Sequence, residues 1–218
     1  MIHNVGVIRY PGSNCDIETL DYFNNLDGYN RSKSFYIWHK EDNIEILDNV
    51  CLLVIPGGFA FGDRIYDKAT DKYKISPGTM ALKSPVTKLI KEAVIRGIPI
   101  IGICNGFQIL TQLGLLPGKL TLNDSKQFEC KKVNCIFDYY DKKESIKLCI
   151  ANSYGKYISD DSYNSVSSHA FLKYENGDIA GMCDLNRKIF GMMPHPERNN
   201  YDFKHLLIKC VLENNTFN

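Results

Sequence analysis

Cys104 is the residue whose surroundings spell out chemistry most directly. It lies in Ile98-Pro-Ile-Ile-Gly-Ile-Cys104-Asn-Gly-Phe-Gln108, where an apolar, strand-like run passes without a linker into a helix-like one. Glycines stand two positions to either side of it, at 102 and 106. This is the spacing of a nucleophile elbow with sulfur in place of a hydroxyl. The tight turn exposes the side chain, the small neighbours let backbones pass closely, and the helix N-terminus beneath favours a thiolate. The N–H of Asn105 would then point at the oxygen of a carbonyl under attack. The bland alternative is a core cysteine with incidental glycines. Strand, spacing and helix together argue against it.

A second chemical segment is Met193-Pro-His195-Pro-Glu197-Arg198. Two prolines hold it extended, so residues two apart project to the same side. His195 and Glu197 can lean together, with the carboxylate on one ring nitrogen and the other nitrogen facing a thiol. That is the base-and-orienter half of a triad. Alone, the segment reads equally well as a rigid surface turn; beside an elbow it reads as catalytic. A third segment, Pro56-Gly-Gly58-Phe-Ala-Phe-Gly-Asp63, follows the apolar run Val50–Ile55. It lacks the Gly-Lys-Ser/Thr ending of a phosphate loop and the spacing of a dinucleotide fingerprint. Its glycines let backbone N–H groups approach a ligand, where they would stabilise an oxyanion. A plain tight turn is the alternative.

These segments need elements to position them. Short apolar runs bounded by Gly, Pro and Asn alternate with amphipathic stretches, the pattern of β–α units and a mostly parallel sheet. Strands are expected at Val5–Tyr10, Ser34–Trp38, Val50–Ile55 and Ile98–Ile103. Helices are expected from an Asp16 N-cap to about Leu26, over Ala81–Arg96 and over Asn105–Leu113. Residues 64–79 are polar and read as a long loop. From Phe128 the character changes to short strand-like runs at 133–137, 146–151, 166–172 and 188–192, expected to be added antiparallel strands. Tyr201–Leu212 reads as a closing helix. The fold class is therefore α/β: a single domain over residues 1–218, with an open, mostly parallel sheet flanked by helices and antiparallel strands added in the second half.

Composition narrows the function. The 218 residues carry a net charge of +1, which gives no global field for nucleic acid or an anionic membrane. No apolar run approaches a membrane span, and the N-terminus lacks the basic and apolar regions of a signal peptide. Eight cysteines without such a signal read as reduced thiols of a cytoplasmic protein. No Cys-x-x-Cys pair is present, and no metal is expected. His169 and His39 read as structural or surface residues. Cys15, beside a helix start, has no adjoining histidine motif.

Taken together, GICNGFQIL (102–110), LGLLPG (113–118), PGGFAFGD (56–63), PGSNCD (11–16) and GMMPHPER (191–198) resemble the PurQ family, the glutaminase subunits of phosphoribosylformylglycinamidine synthase. These belong to the class I (triad) glutamine amidotransferases, on a flavodoxin-like scaffold. The motifs run from 11 to 198 in family order. The resemblance implies that Cys104 attacks the side-chain amide of L-glutamine, releasing ammonia and leaving a γ-glutamyl thioester. His195 would move the proton and activate water, and Glu197 would orient it. Backbone N–H groups of Gly58 and Asn105 would form the oxyanion hole, and Gln108 would help hold the glutamine. The chain itself would carry no cofactor. Ammonia would pass to a partner synthetase, alone or with a small accessory subunit, which binds ATP, magnesium and formylglycinamide ribonucleotide. The chain departs from the family at Asn152-Ser153-Tyr154, where relatives carry His-Gly-Glu, and in the segment after Asp63. Two other readings stand beside this one. A different Cys-elbow hydrolase would usually place its His next to the Cys, where this chain has Asn105. A degenerate, regulatory docking subunit would not need an intact triad.

Overall fold

The computed structural model describes residues 4–24, 33–60, 78–139, 142–159, 169–198 and 201–212. Among these, nine strands form one sheet in the order β2-β1-β3-β4-β11-β10-β9-β6-β7. Its first five members are parallel: β1 (Asn4–Arg9), β2 (Lys33–Trp38), β3 (Val50–Ile55), β4 (Ile100–Ile103) and β11 (Ile189–Met192). The remaining pairings are antiparallel, through β10 (Ile179–Cys183), β9 (Leu172–Tyr174), β6 (Glu129–Tyr139) and β7 (Lys142–Asn152). Two short strands, β5 (Lys119–Thr121) and β8 (Lys156–Ile158), pair separately. Helices α1 (Asp16–Phe23), α2 (Thr87–Ile95), α3 (Asn105–Gln112) and α4 (Tyr201–Leu212) complete the fold.

The expected α/β class and the antiparallel additions are both present. Two strand assignments change: the run at 188–192 is β11 and joins the parallel half beside β4, and of the described residues in the run 166–172 only Leu172 lies in a strand, as the first residue of β9. A four-residue apolar run carries no mark of direction, because parallel and antiparallel neighbours bury it equally well. The expected helix over 81–96 also divides. Residues 79–83 form a 3-10 turn, Ser84 is extended ahead of Pro85, and the α-helix begins at Thr87. A residue before proline is forced out of the helical region, which explains the break. At the first helix Cys15, not Asp16, is the N-cap, and no side chain caps it. Asp16 instead accepts an ion pair from Arg9 Nε at 2.6 Å. The loop expected at 64–79 lies almost wholly outside the described residues, as do residues 25 and 26 of the first helix and 166–168 of a later run.

The central parallel strands β3, β4 and β11 are apolar along their whole length because both faces are covered. Leu52 to Ile55, Ile100, Ile101 and Ile103 are fully buried. Helix α3 lays Phe107, Ile109 and Leu110 into the same core. The antiparallel half is joined to this core by aromatic packing. Phe137 of β6 meets Phe203 of α4 edge-on at 5.7 Å, and Phe171 meets Phe190 of β11 at 5.5 Å. Such edge-to-face pairs contribute about 0.5–1.5 kcal/mol each beyond the area they bury. Among the described residues no helix is long and apolar enough to cross a membrane.

Candidate active site

The elbow forms as its spacing demands. Cys104 sits between β4 and α3 with φ of 51° and ψ of −105°. A non-glycine residue held there costs on the order of 1–3 kcal/mol and persists only when its surroundings fix it. Two features fix it. Cys104 N–H donates to Met192 O at 2.7 Å, tying the elbow to the end of β11. The glycines remove side chains where none would fit. A Cβ on Gly106 would strike the carbonyl of Ile55, and one on Gly102 would stand 2.7 Å from the carbonyl of Gly106. The Cys104 thiol is buried and directed to Ala151 O on β7, at 3.7 Å. Asn105 begins α3, so its N–H is one of the helix's unsatisfied donors.

His195 reaches the same crevice from the strand next door. It follows β11 by three residues, and its backbone N–H donates to Cys149 O of β7 at 2.8 Å. Its Nδ1 lies 2.6 Å from Glu197 Oε1, and both side chains are buried. The extended segment thus brings the two together as the proline-flanked spacing predicts. Burial alone would push the imidazole down. The charge of Glu197 and the charge and hydrogen bond of Cys104 outweigh it and hold the ring well above its usual value. That arrangement favours an imidazolium facing Cys104.

The third segment lines the opposite wall. A Cβ on Gly57 would meet His195 Cε1 at 2.6 Å and Cys104 Cβ at 3.4 Å, so this backbone faces both side chains. Gly58, with φ of 149°, packs so tightly on residues 12–14 that a Cβ would lie 2.5 Å from Asn14 N. Phe59 N–H donates to Gly12 O at 2.9 Å, which fixes the two loops together.

Gln108 is placed differently from a ligand-facing residue. Its Nε2 donates to Tyr154 O at 2.9 Å and its Oε1 accepts from Asn105 Nδ2 at 2.8 Å. It braces α3 against the 152–155 segment, in which Asn152 and Ser153 are buried. Asn123 holds the same segment: Asn123 Nδ2 donates to Asn152 O, Gly155 N–H donates to Asn123 Oδ1, and Asn123 N–H donates to Ser153 O, all at 2.8–2.9 Å. A polar groove of about 530 Å³ shares Asn152 and Gly155 with this wall, but its lining includes none of Cys104, His195 or Glu197.

Two neighbours of the triad escape sequence reasoning. Arg198 Nη2 donates to Cys15 Sγ at 3.3 Å, and that sulfur lies within 4.8 Å of ligand atoms of both His195 and Glu197. Nothing in the PGSNCD spacing announces that its cysteine meets a segment at the other end of the chain. The carbonyls of Cys149 and Ala151 are equally silent, since any residue type supplies them.

Comparison with known proteins agrees with this geometry. Residues 2–159 match the family model of the CobB/CobQ-like glutamine amidotransferase domain. A phosphoribosylformylglycinamidine synthase subunit PurQ from Sulfurimonas denitrificans is 35% identical, with 89% of this chain and 90% of that one covered. The structure of PurLQS from Thermotoga maritima superposes with a TM-score of 0.79 at 31% identity, over 98% of this chain and 99% of that one. A glutamine amidotransferase from Thermotoga maritima shares the fold alone, with a TM-score of 0.59 at 18% identity, over 100% and 87% of the two chains. Matched by the family model over most of its length and 35% identical to a PurQ subunit over 89% of it, the chain belongs to the PurQ family of glutamine amidotransferases, the glutaminase subunits of phosphoribosylformylglycinamidine synthase.

Proposed function

We propose that this chain hydrolyses L-glutamine at Cys104 and hands the ammonia to a synthetase that amidates formylglycinamide ribonucleotide in purine synthesis. The observation that carries the mechanism is the convergence on one buried crevice of a strained thiol and an imidazole bonded to a carboxylate. The thiolate of Cys104 attacks the carboxamide carbon. The negative charge that develops on oxygen is met by the N–H groups of Gly58 and Asn105. His195, as imidazolium, gives its proton to the leaving nitrogen, and ammonia departs. The same imidazole then takes a proton from water, which attacks the thioester and releases glutamate. Glu197 keeps the ring oriented and supports its positive charge.

Gln108 and the 152–155 segment serve the substrate by shape. Gln108 keeps the Tyr154 carbonyl and the Asn105 amide in place around the ligand, so the Asn-Ser-Tyr variation is accommodated by a braced backbone. This chemistry asks for no cofactor on this chain. ATP and magnesium belong to the partner synthetase, with or without a small accessory subunit.

The test is reconstitution with the synthetase. Wild-type chain should support amidation of formylglycinamide ribonucleotide with glutamine as nitrogen donor. Cys104→Ala should lose glutamine-dependent amidation while the complex still uses free ammonia. Full glutamine-dependent activity in that variant would reject Cys104 as the nucleophile.

A further inference from the structure

Cys15 has no part in the reaction above, yet it stands beside it. Its backbone N–H donates to Gly57 O at 3.2 Å, which places the thiol at the wall that faces His195. Cys15 Sγ, a ring nitrogen of His195 and a carboxylate oxygen of Glu197 lie within 4.8 Å of one another, and all three residues are buried. One polar atom of this cluster, Glu197 Oε2, is buried without a hydrogen-bond partner among the described residues. A thiol, an imidazole and a carboxylate with one oxygen unspent, converging in one buried volume, form the donor set of a borderline-soft divalent cation once the thiol and the ring give up a proton.

We infer that Cys15, His195 and Glu197 form a binding site for Zn²⁺ whose occupation stops glutamine hydrolysis. Its inhibitory effect rests on His195 being the base of the proposed reaction; the binding itself does not. Zinc bonds of about 2.0–2.3 Å put the ligand atoms of a tetrahedral site roughly 3.3–3.8 Å apart. The cluster closes on an ion by side-chain shifts of about an ångström. Binding sends two protons to solvent, that of the Cys15 thiol and one from the His195 imidazolium, and the ion takes the ring nitrogen so freed. It also draws Glu197, which orients that ring, onto the same ion. Cys104 keeps its place but loses its base. Arg198 sets the strength, because its guanidinium sits on the same sulfur and repels a second cation. The site therefore takes Zn²⁺ as a reversible inhibitor and not as a resident metal. Sequence spacing gives no sign of it, since the donors come from opposite ends of the chain.

The experiment is a Zn²⁺ titration of the chain, alone and assembled with its synthetase. Glutamine hydrolysis is read alongside Zn²⁺ affinity, the latter by competition with a chromogenic chelator. Wild type should lose hydrolysis as it takes up the ion and regain it with EDTA. Cys15→Ala and the volume-preserving Cys15→Ser should each need about ten times more Zn²⁺, or beyond, for the same inhibition. Cys104→Ala should still bind the ion, and Cys15→Ala in that background should weaken the binding. This arm reports on the site even if Cys104 proves not to be the nucleophile. Inhibition of both Cys15 variants at the wild-type concentration would place the ion on Cys104 and His195 without Cys15, and would overturn the inference. So would hydrolysis indifferent to Zn²⁺.

Discussion

The parallel and antiparallel halves of the sheet serve the site in opposite ways. The parallel half makes it reactive. β4 and β11 end side by side, and from their ends come a thiol held at positive φ and an imidazole bonded to a carboxylate. The antiparallel half encloses that pair. β7 supplies the carbonyl of Cys149 to His195 and that of Ala151 to Cys104, and the turn after it holds Gln108. Reactivity thus comes from strained, close-packed loops, while positioning comes from ordinary backbone groups on a long hairpin. The lesson is that the added strands are part of the site, although none of the reacting side chains lies on them.

The largest expected effect is on the reactive side. His195→Asn should lower kcat for glutamine hydrolysis by about 10²–10⁴-fold, the usual contribution of a positioned acid–base group. Circular dichroism should show the fold intact. A variant with near-normal turnover would remove His195 from the mechanism. Next comes Gly106→Ala, which drives a methyl group into the Ile55 carbonyl. It should cost about 1–3 kcal/mol in urea denaturation and displace the thiol as well, so activity should fall further than stability alone explains. An unchanged midpoint would mean that the elbow has room to spare.

A smaller effect belongs to the enclosing side. Gln108→Ala removes the brace between α3 and the Tyr154 carbonyl. KM for glutamine should rise by about tenfold with kcat changed less, since a lost neutral hydrogen bond costs roughly 0.5–1.5 kcal/mol. A selective fall in kcat would instead place Gln108 on the reacting atoms.

The smallest effect is a pH dependence of stability. The folded imidazole of His195 is raised, whereas an unfolded histidine titrates near about 6.5. The stabilisation from its charged form is therefore complete below about 6.5 and is lost as pH rises through the raised folded value. Buried Cys135 and Cys183 thiols are pushed up to about 12, chiefly by burial, so they too favour unfolding once unfolded thiols ionise, above about 8.5. The informative quantity is the difference in urea midpoint between wild type and His195→Asn. It should shrink from pH 6 to pH 9, and a constant difference would mean that the ring is neutral in the fold.

How much of this was legible in the sequence follows from the kind of signal each feature leaves. Cys104 announced itself because an elbow needs glycines at fixed offsets. His195 and Glu197 did so because prolines hold their segment extended. The buried strands of the parallel half were legible as apolar runs. The direction of β11 was not, since burial is blind to direction. The break at Ser84-Pro85 was legible in principle, but the apolar spacing of residues 82–93 masked it. Cys15 beside His195, and the carbonyls of β7 at the site, depend on long-range register, which no local spacing encodes.

The hydrogen bond from Cys104 N–H to Met192 O has a consequence for biosynthesis. β11 is the last strand of the sheet to leave the ribosome, and the histidine follows it. From position 104 until β11 is made at 189, a nascent chain thus carries its sulfur with neither the anchor that sets its backbone nor the base that would arm it. Chemical competence arrives only with the final strand, so unfinished or truncated copies cannot waste glutamine.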